Sequence, residues 1–176
     1  MNKKPCGLFF LLFLCVPFYT FASSVSVFMC QNDSAVETLR ETTFILESGI
    51  LGILFDRGYI VSSEAGVQNP NDVNEAFKQA LKNGKEGFFE YLVHVTVNYT
   101  TTVPENPAGV IFDDIKSIEW RIVRLKNAGV IADKKNIVPV KYEAETDVRA
   151  LKRFAGELGS DIETAIRRYD ERGVTR

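Results

Sequence analysis

A chain of 176 residues, 45% hydrophobic and 25% charged, is long enough to bury one real core and too apolar for disorder to be the expectation. A formal net charge of −2 argues against a nucleic-acid-binding surface as its main business. A single histidine, His94, excludes a histidine-based metal cluster.

Residues 1–22 read as a secretory signal peptide. Lys3 and Lys4 form a basic start, an apolar run covers residues 7–16, and Pro17 ends it. Ala22 then offers a small residue before Ser23, so cleavage is expected between Ala22 and Ser23. The run is shorter than the ~20 residues that span a bilayer, and the alternative is an uncleaved N-terminal anchor. No later run is as apolar, so the mature chain is expected to be soluble, with no stable membrane span. Cleavage removes Cys6 and Cys15 and leaves Cys30 without an internal partner. Cys30 closes an apolar run and is expected to be a buried small hydrophobe.

One α/β domain is expected over residues 23–168, with a charged tail over 169–176. Residues 23–30 are a first strand. Ser34 and Glu37 have the spacing of a capping box, which predicts a helix from there to Arg57, closed by Gly58 in the left-handed conformation. Its buried face is Val36, Leu39, Thr43, Leu46, Ile50, Ile53 and Leu54. Gly49 and Gly52 inside it suggest close approach to the sheet. Residues 59–61 are a short strand and 62–70 a polar loop. Asn71 or Asp72 can cap a second helix, with Val73, Phe77, Ala80 and Leu81 inward and an end at Asn83-Gly84.

Residues 88–102 hold the organising strand. Tyr91, Val93, Val95, Val97 and Tyr99 share one parity, and Leu92, His94, Thr96, Asn98 and Thr100 the other. Residues 103–109 form a proline-rich loop, and 115–125 a second long strand with Ile118, Trp120 and Ile122 on one face. Residues 127–129 turn the chain, 130–132 are extended, 133–136 are a solvated turn, and 137–142 are extended again. Thr146 or Asp147 caps a last helix carrying Val148, Leu151, Phe154, Ala155, Leu158, Ile162 and Ile166, frayed at its charged end. The expected architecture is an α/β two-layer sandwich: a mixed sheet with about three helices on one face.

Few residues carry chemistry. His94 lies on the polar strand parity and reads as solvated or hydrogen-bonded. Asp113-Asp114 and Glu143/Glu145 read as solvated carboxylates. No catalytic, cofactor-binding or metal-ligating residues are expected. The matches to the glycosylation pattern at Asn98 and Asn32 are taken as chance. The open sheet face, with His94, Thr96, Asn98, Thr100, Glu119 and Arg121, is the candidate interaction face, and a sheet edge that recruits another strand is a further option.

Gly58-Tyr59-Ile60-Val61 after a long helix, and the run from Trp120 to Ile131, resemble a periplasmic α/β domain group. It comprises the curli secretion-channel protein, the lipoprotein activators of penicillin-binding proteins and the N-terminal domain of the Tol translocation protein. The chain departs from the first two, because Leu14 and Met29 precede Cys15 and Cys30 where a lipid-attachment motif needs a small residue. The resemblance implies an envelope assembly or interaction protein without catalytic residues. The expectation is a bacterial protein exported to the periplasm or secreted, working by contact with an envelope partner or by self-association, with no cofactor and no nucleic acid. A small-ligand or glycan-binding module, on the open face or the proline-rich loop, and a hydrolase of unrecognised type are the alternatives.

Overall fold

The computed structural model describes residues 22–68, 73–100 and 109–174. Strand β1 (Ser24–Asn32) is buried along nearly its whole length, as expected of a strand with neighbours on both edges. Strand β4 (Tyr91–Tyr99) runs parallel along one edge, from Val25 opposite Tyr91 to Asn32 opposite Asn98. The other edge takes two short parallel strands in succession, β2 (Ile60–Ser63) against residues 24–27 and β3 (Val67–Gln68) against Cys30 and Gln31. Beyond β4 the sheet continues antiparallel through β5 (Ile115–Arg124) and β6 (Gly129–Ile137), giving the order β2-β1-β4-β5-β6 with β3 beside β1. The mixed six-stranded sheet and the three helices agree with the α/β expectation. Strand β3 falls where sequence suggests only a loop, since two residues are too few to show a period.

The apolar parity of β4 is fully buried, as read, and so is that of β5 through Ile118, Trp120 and Ile122. Helices α1 (Glu41–Asp56) and α3 (Asp147–Val174) cover this face and supply Leu46, Ile50, Leu54, Leu151, Phe154 and Ile162 to one core. Helix α2 (Val73–Glu86) does not join them. It lies across the opposite face, where Ala80 packs with Phe28, Leu92 and Leu125 and with the partly buried Phe77 and Leu81. The helices therefore divide two and one, and the expected single-sided covering is corrected. Leu92 is the residue that decides this: it belongs to the polar parity, yet it is wholly buried beneath α2.

Local departures have local causes. Helix α1 starts at Glu41, seven residues after the apparent capping box. Asp33 Oδ1 accepts from the Ala35 N–H in a turn, and Gln31 Oε1 accepts from the Arg40 N–H at 2.8 Å and from the Thr43 hydroxyl at 2.7 Å. A side chain from β1 thus satisfies the helix start, so Ser34 and Glu37 are not needed there. Gly58 is left-handed, with φ 88°, as expected. The Tyr59 N–H reaches the Leu54 carbonyl and the Gly58 N–H the Phe55 carbonyl, which is a Schellman end. Gly49 serves contact with α3 and not with the sheet: a Cβ there would stand 2.5 Å from that of Ala155. Gly52 has nothing within 4 Å.

Helix α2 passes through Asn83-Gly84, because Gly84 lets Leu125 approach, and ends at Glu86. Its expected caps, Asn71 and Asp72, lie outside the described residues, as do the signal segment up to Phe21 and most of the proline-rich loop. Residues 133–136 are not a turn but the outer part of β6. Asp133 and Lys134 pair with Arg121 and Trp120, a register shift separates Lys134 from Ile137, and Asn136 takes a positive φ of 54°. Val148 is exposed on α3. That helix continues to Val174 instead of fraying, because Tyr91 donates to Asp170 and Arg124 stacks on Tyr169 at 5.6 Å.

Candidate interaction surface

Cross-strand register assembles part of the expected face. His94 stands opposite Arg121, and Thr96 opposite Glu119. With Asp133 and Lys135 of β6 they line a shallow depression of about 50 Å³. That is far below the several hundred Å³ that bury a small ligand. Asn98 lies further along, donating to Ser117 and accepting from Asn32. Thr100 is past the end of β4, where its N–H donates to the Asp114 carbonyl.

His94 is half-buried, and its Nε2 lies 3.4 Å from the Thr96 hydroxyl, the hydrogen-bonded form of the expectation. Its ring stacks on Phe28 at 5.4 Å and meets Phe77 of α2 at 5.1 Å. Burial, with the Arg121 charge nearby, lowers its pKa to about 4, so it is a neutral packing group at neutral pH. The open face is therefore half closed by α2.

Of the carboxylates noted in the sequence, Asp113 and Glu143 are exposed, as expected, and Asp114 and Glu145 are engaged by cations. Arg40 bridges Asp33 at 2.5 Å and Asp114 at 2.6 Å, and its guanidinium lies 4.5 Å from the Tyr99 ring centre. Glu145 takes Arg153, whose hydrogen bonds hold its carboxyl below the usual range. Among the described residues, no three His, Cys, Asp or Glu side chains gather as metal ligands would. No helix among them is long and apolar enough to cross a membrane. Cys30 is buried, and burial pushes its thiol up to about 11.

The surface that sequence reasoning missed follows β6. That strand is the sheet's outer edge, bonded among the described residues to β5 alone. Past it, burial alternates: Ile137, Pro139 and Lys141 are half-buried, while Val138, Val140 and Tyr142 are 65%, 58% and 57% exposed. Arg153 of α3 fixes this segment by donating to the Val140 carbonyl at 2.7 Å and lying 4.2 Å from the Tyr142 ring centre. The result is a pinned row of outward apolar side chains beside an open edge. The alternation of Val138, Val140 and Tyr142 is visible in sequence, but only the fold shows which side is bare. A groove of about 690 Å³, lined by Ser23, Arg124, Val130, Tyr169 and Arg172, lies at the end where the chain enters.

The fold is similar to that of the PelC dodecamer from Paraburkholderia phytofirmans, at 14% identity and a TM-score of 0.43 over 77% of this chain and 84% of that one. TolB from Acinetobacter baumannii matches at 10% identity and a TM-score of 0.42, over 82% of this chain but 28% of TolB. Protein XCC0632 from Xanthomonas campestris, under the family model DUF330, matches at 10% identity and a TM-score of 0.39, over 89% of this chain and 94% of that one. At these levels no residue's role is carried across. No curated protein matches the chain. A family model described as "Uncharacterised protein" matches residues 24–167, and the chain belongs to that family.

Proposed function

We propose that this is an exported cell-envelope protein that works by protein–protein contact. The observation that carries the reading is the row Val138, Val140 and Tyr142, held by Arg153 beside the outer edge of β6. Exposed apolar side chains at every second residue, next to unpaired strand groups, match what a partner strand or an apolar groove takes up. Lys134 and Lys135 interrupt the edge itself, which guards it against indiscriminate pairing and leaves the row as the specific contact. Export rests on residues 1–22, whose basic start and apolar run have the form of a signal peptide.

A photo-crosslinking side chain placed at Val140, in protein expressed in its own envelope, tests the reading. One reproducible partner captured there, not captured from Lys78 on α2, and lost on Val138→Asp, is the expected result. Equal capture from both positions, or none, would overturn it.

A further inference from the structure

Phe88 is the residue whose placement the fold accounts for least. It is 91% exposed, the most of the described large hydrophobic side chains. It also has a φ of 57°. The Phe88 N–H reaches the Lys85 carbonyl and the Phe89 N–H the Gly84 carbonyl, so α2 ends in the same motif as α1, with phenylalanine where α1 has Gly58. A bulky side chain in the left-handed region strains the backbone, and this one gains no burial in return.

Two more exposed apolar residues share this end of the domain, Phe55 at 68% and Ile60 at 59%. Backbone hydrogen bonds place them: the Ile60 N–H donates to the Ser23 carbonyl, the Glu90 N–H to the Ser24 carbonyl, and the Gly58 N–H to Phe55. Contributions from α1, β2 and the turn before β4 therefore ring the point where the chain enters the sheet. Six residues, 17–22, separate that point from the apolar run. Six residues reach at most ~20 Å, whereas a strand of β4's length carries the opposite end ~30 Å away. This rests on the export proposed above: if residues 1–22 act as the export signal, this end of the domain is the one held nearest the membrane until the chain is cut at Ala22.

We propose that the end carrying Phe55, Ile60 and Phe88 is a membrane-facing surface whose three side chains seat in the interfacial region of a phospholipid bilayer. A strained, fully exposed phenylalanine costs the folded domain and is useful where an apolar body meets the headgroup boundary.

The test uses the mature chain from Ser23, so that the apolar run cannot itself carry the protein onto lipid, with Phe88→Trp, and separately with Val148→Trp at the far end. Each is mixed with vesicles of equal phosphatidylethanolamine and phosphatidylglycerol containing lipid brominated high on the acyl chain. Trp120 is buried and gives a constant background. The expected result is a blue shift and loss of most of the added emission for the indole at position 88, with none for that at 148. The proposal is overturned if the chain does not bind the vesicles, if it binds with the emission at 88 unchanged, or if both positions are quenched alike. A blue shift that grows with protein concentration without lipid would overturn it in favour of a second copy on this surface.

Discussion

At the scale of single residues, three side chains, His94, Phe88 and Arg40, sit where alternation alone does not explain them. His94 is held to a pKa of about 4 between Phe28 and Phe77, against 6.5 in an unstructured chain. Between those values the unfolded chain binds the extra proton. The stability contributed is complete above about pH 6.5 and is lost as pH falls toward 4, up to about 3 kcal/mol in all. Urea unfolding near neutrality and at about pH 5 should show this slope, and His94→Leu should flatten it. Phe88→Gly should raise stability by about 1 kcal/mol, read as a higher melting temperature, because it relieves a left-handed strain and gives up no buried contact. Arg40→Ala should cost roughly 3 kcal/mol in the same denaturation experiment, because it leaves the Asp33 carboxylate buried without that cation. The parity of β4 was legible because alternation is a local pattern. The roles of His94 and Arg40 were not, since what covers or pairs them comes from Phe77 and Asp114, far along the chain.

At the scale of elements, α1 and α3 meet through small residues, and the two glycines of α1 separate the effects. Gly49→Val should force the helices apart and cost about 3 kcal/mol. Gly52→Ala faces open space and should be neutral or stabilising by up to about 1 kcal/mol. Equal destabilisation by both, measured in guanidinium, would mean that the contact with Ala155 is not the reason for Gly49. Both glycines were legible as features, but the surface that Gly49 approaches was not. The apparent capping box at Ser34 shows the reverse error. It is a good local motif that lost to Gln31, a side chain on a neighbouring strand that caps the helix better. Strand β6 was split in sequence at Asp133 because its charges read as a turn, whereas an edge strand carries charges for protection.

At the scale of the whole molecule the two faces are unequal. One is a continuous core under α1 and α3, and the other a small cluster beneath α2. Amides of α2 should exchange with deuterium well before those of α1 and α3, since fewer buried side chains hold that helix down. Protection of α2 equal to theirs would contradict this. The class of fold was legible from the order of elements. The division of helices was not, because α2 has an apolar stripe that would suit either face of the sheet. The topology also fixes an order of events. The most deeply buried strand, β1, is the first part of the domain to be synthesised, yet its long neighbour is β4, with Val25 waiting for Tyr91. Until that residue follows, a highly apolar segment has no complete shelter. A chain threaded N-terminus first through an export channel therefore passes through an interval of maximal stickiness, one that a holding chaperone at the channel exit would shorten and that a slow rate of threading would lengthen.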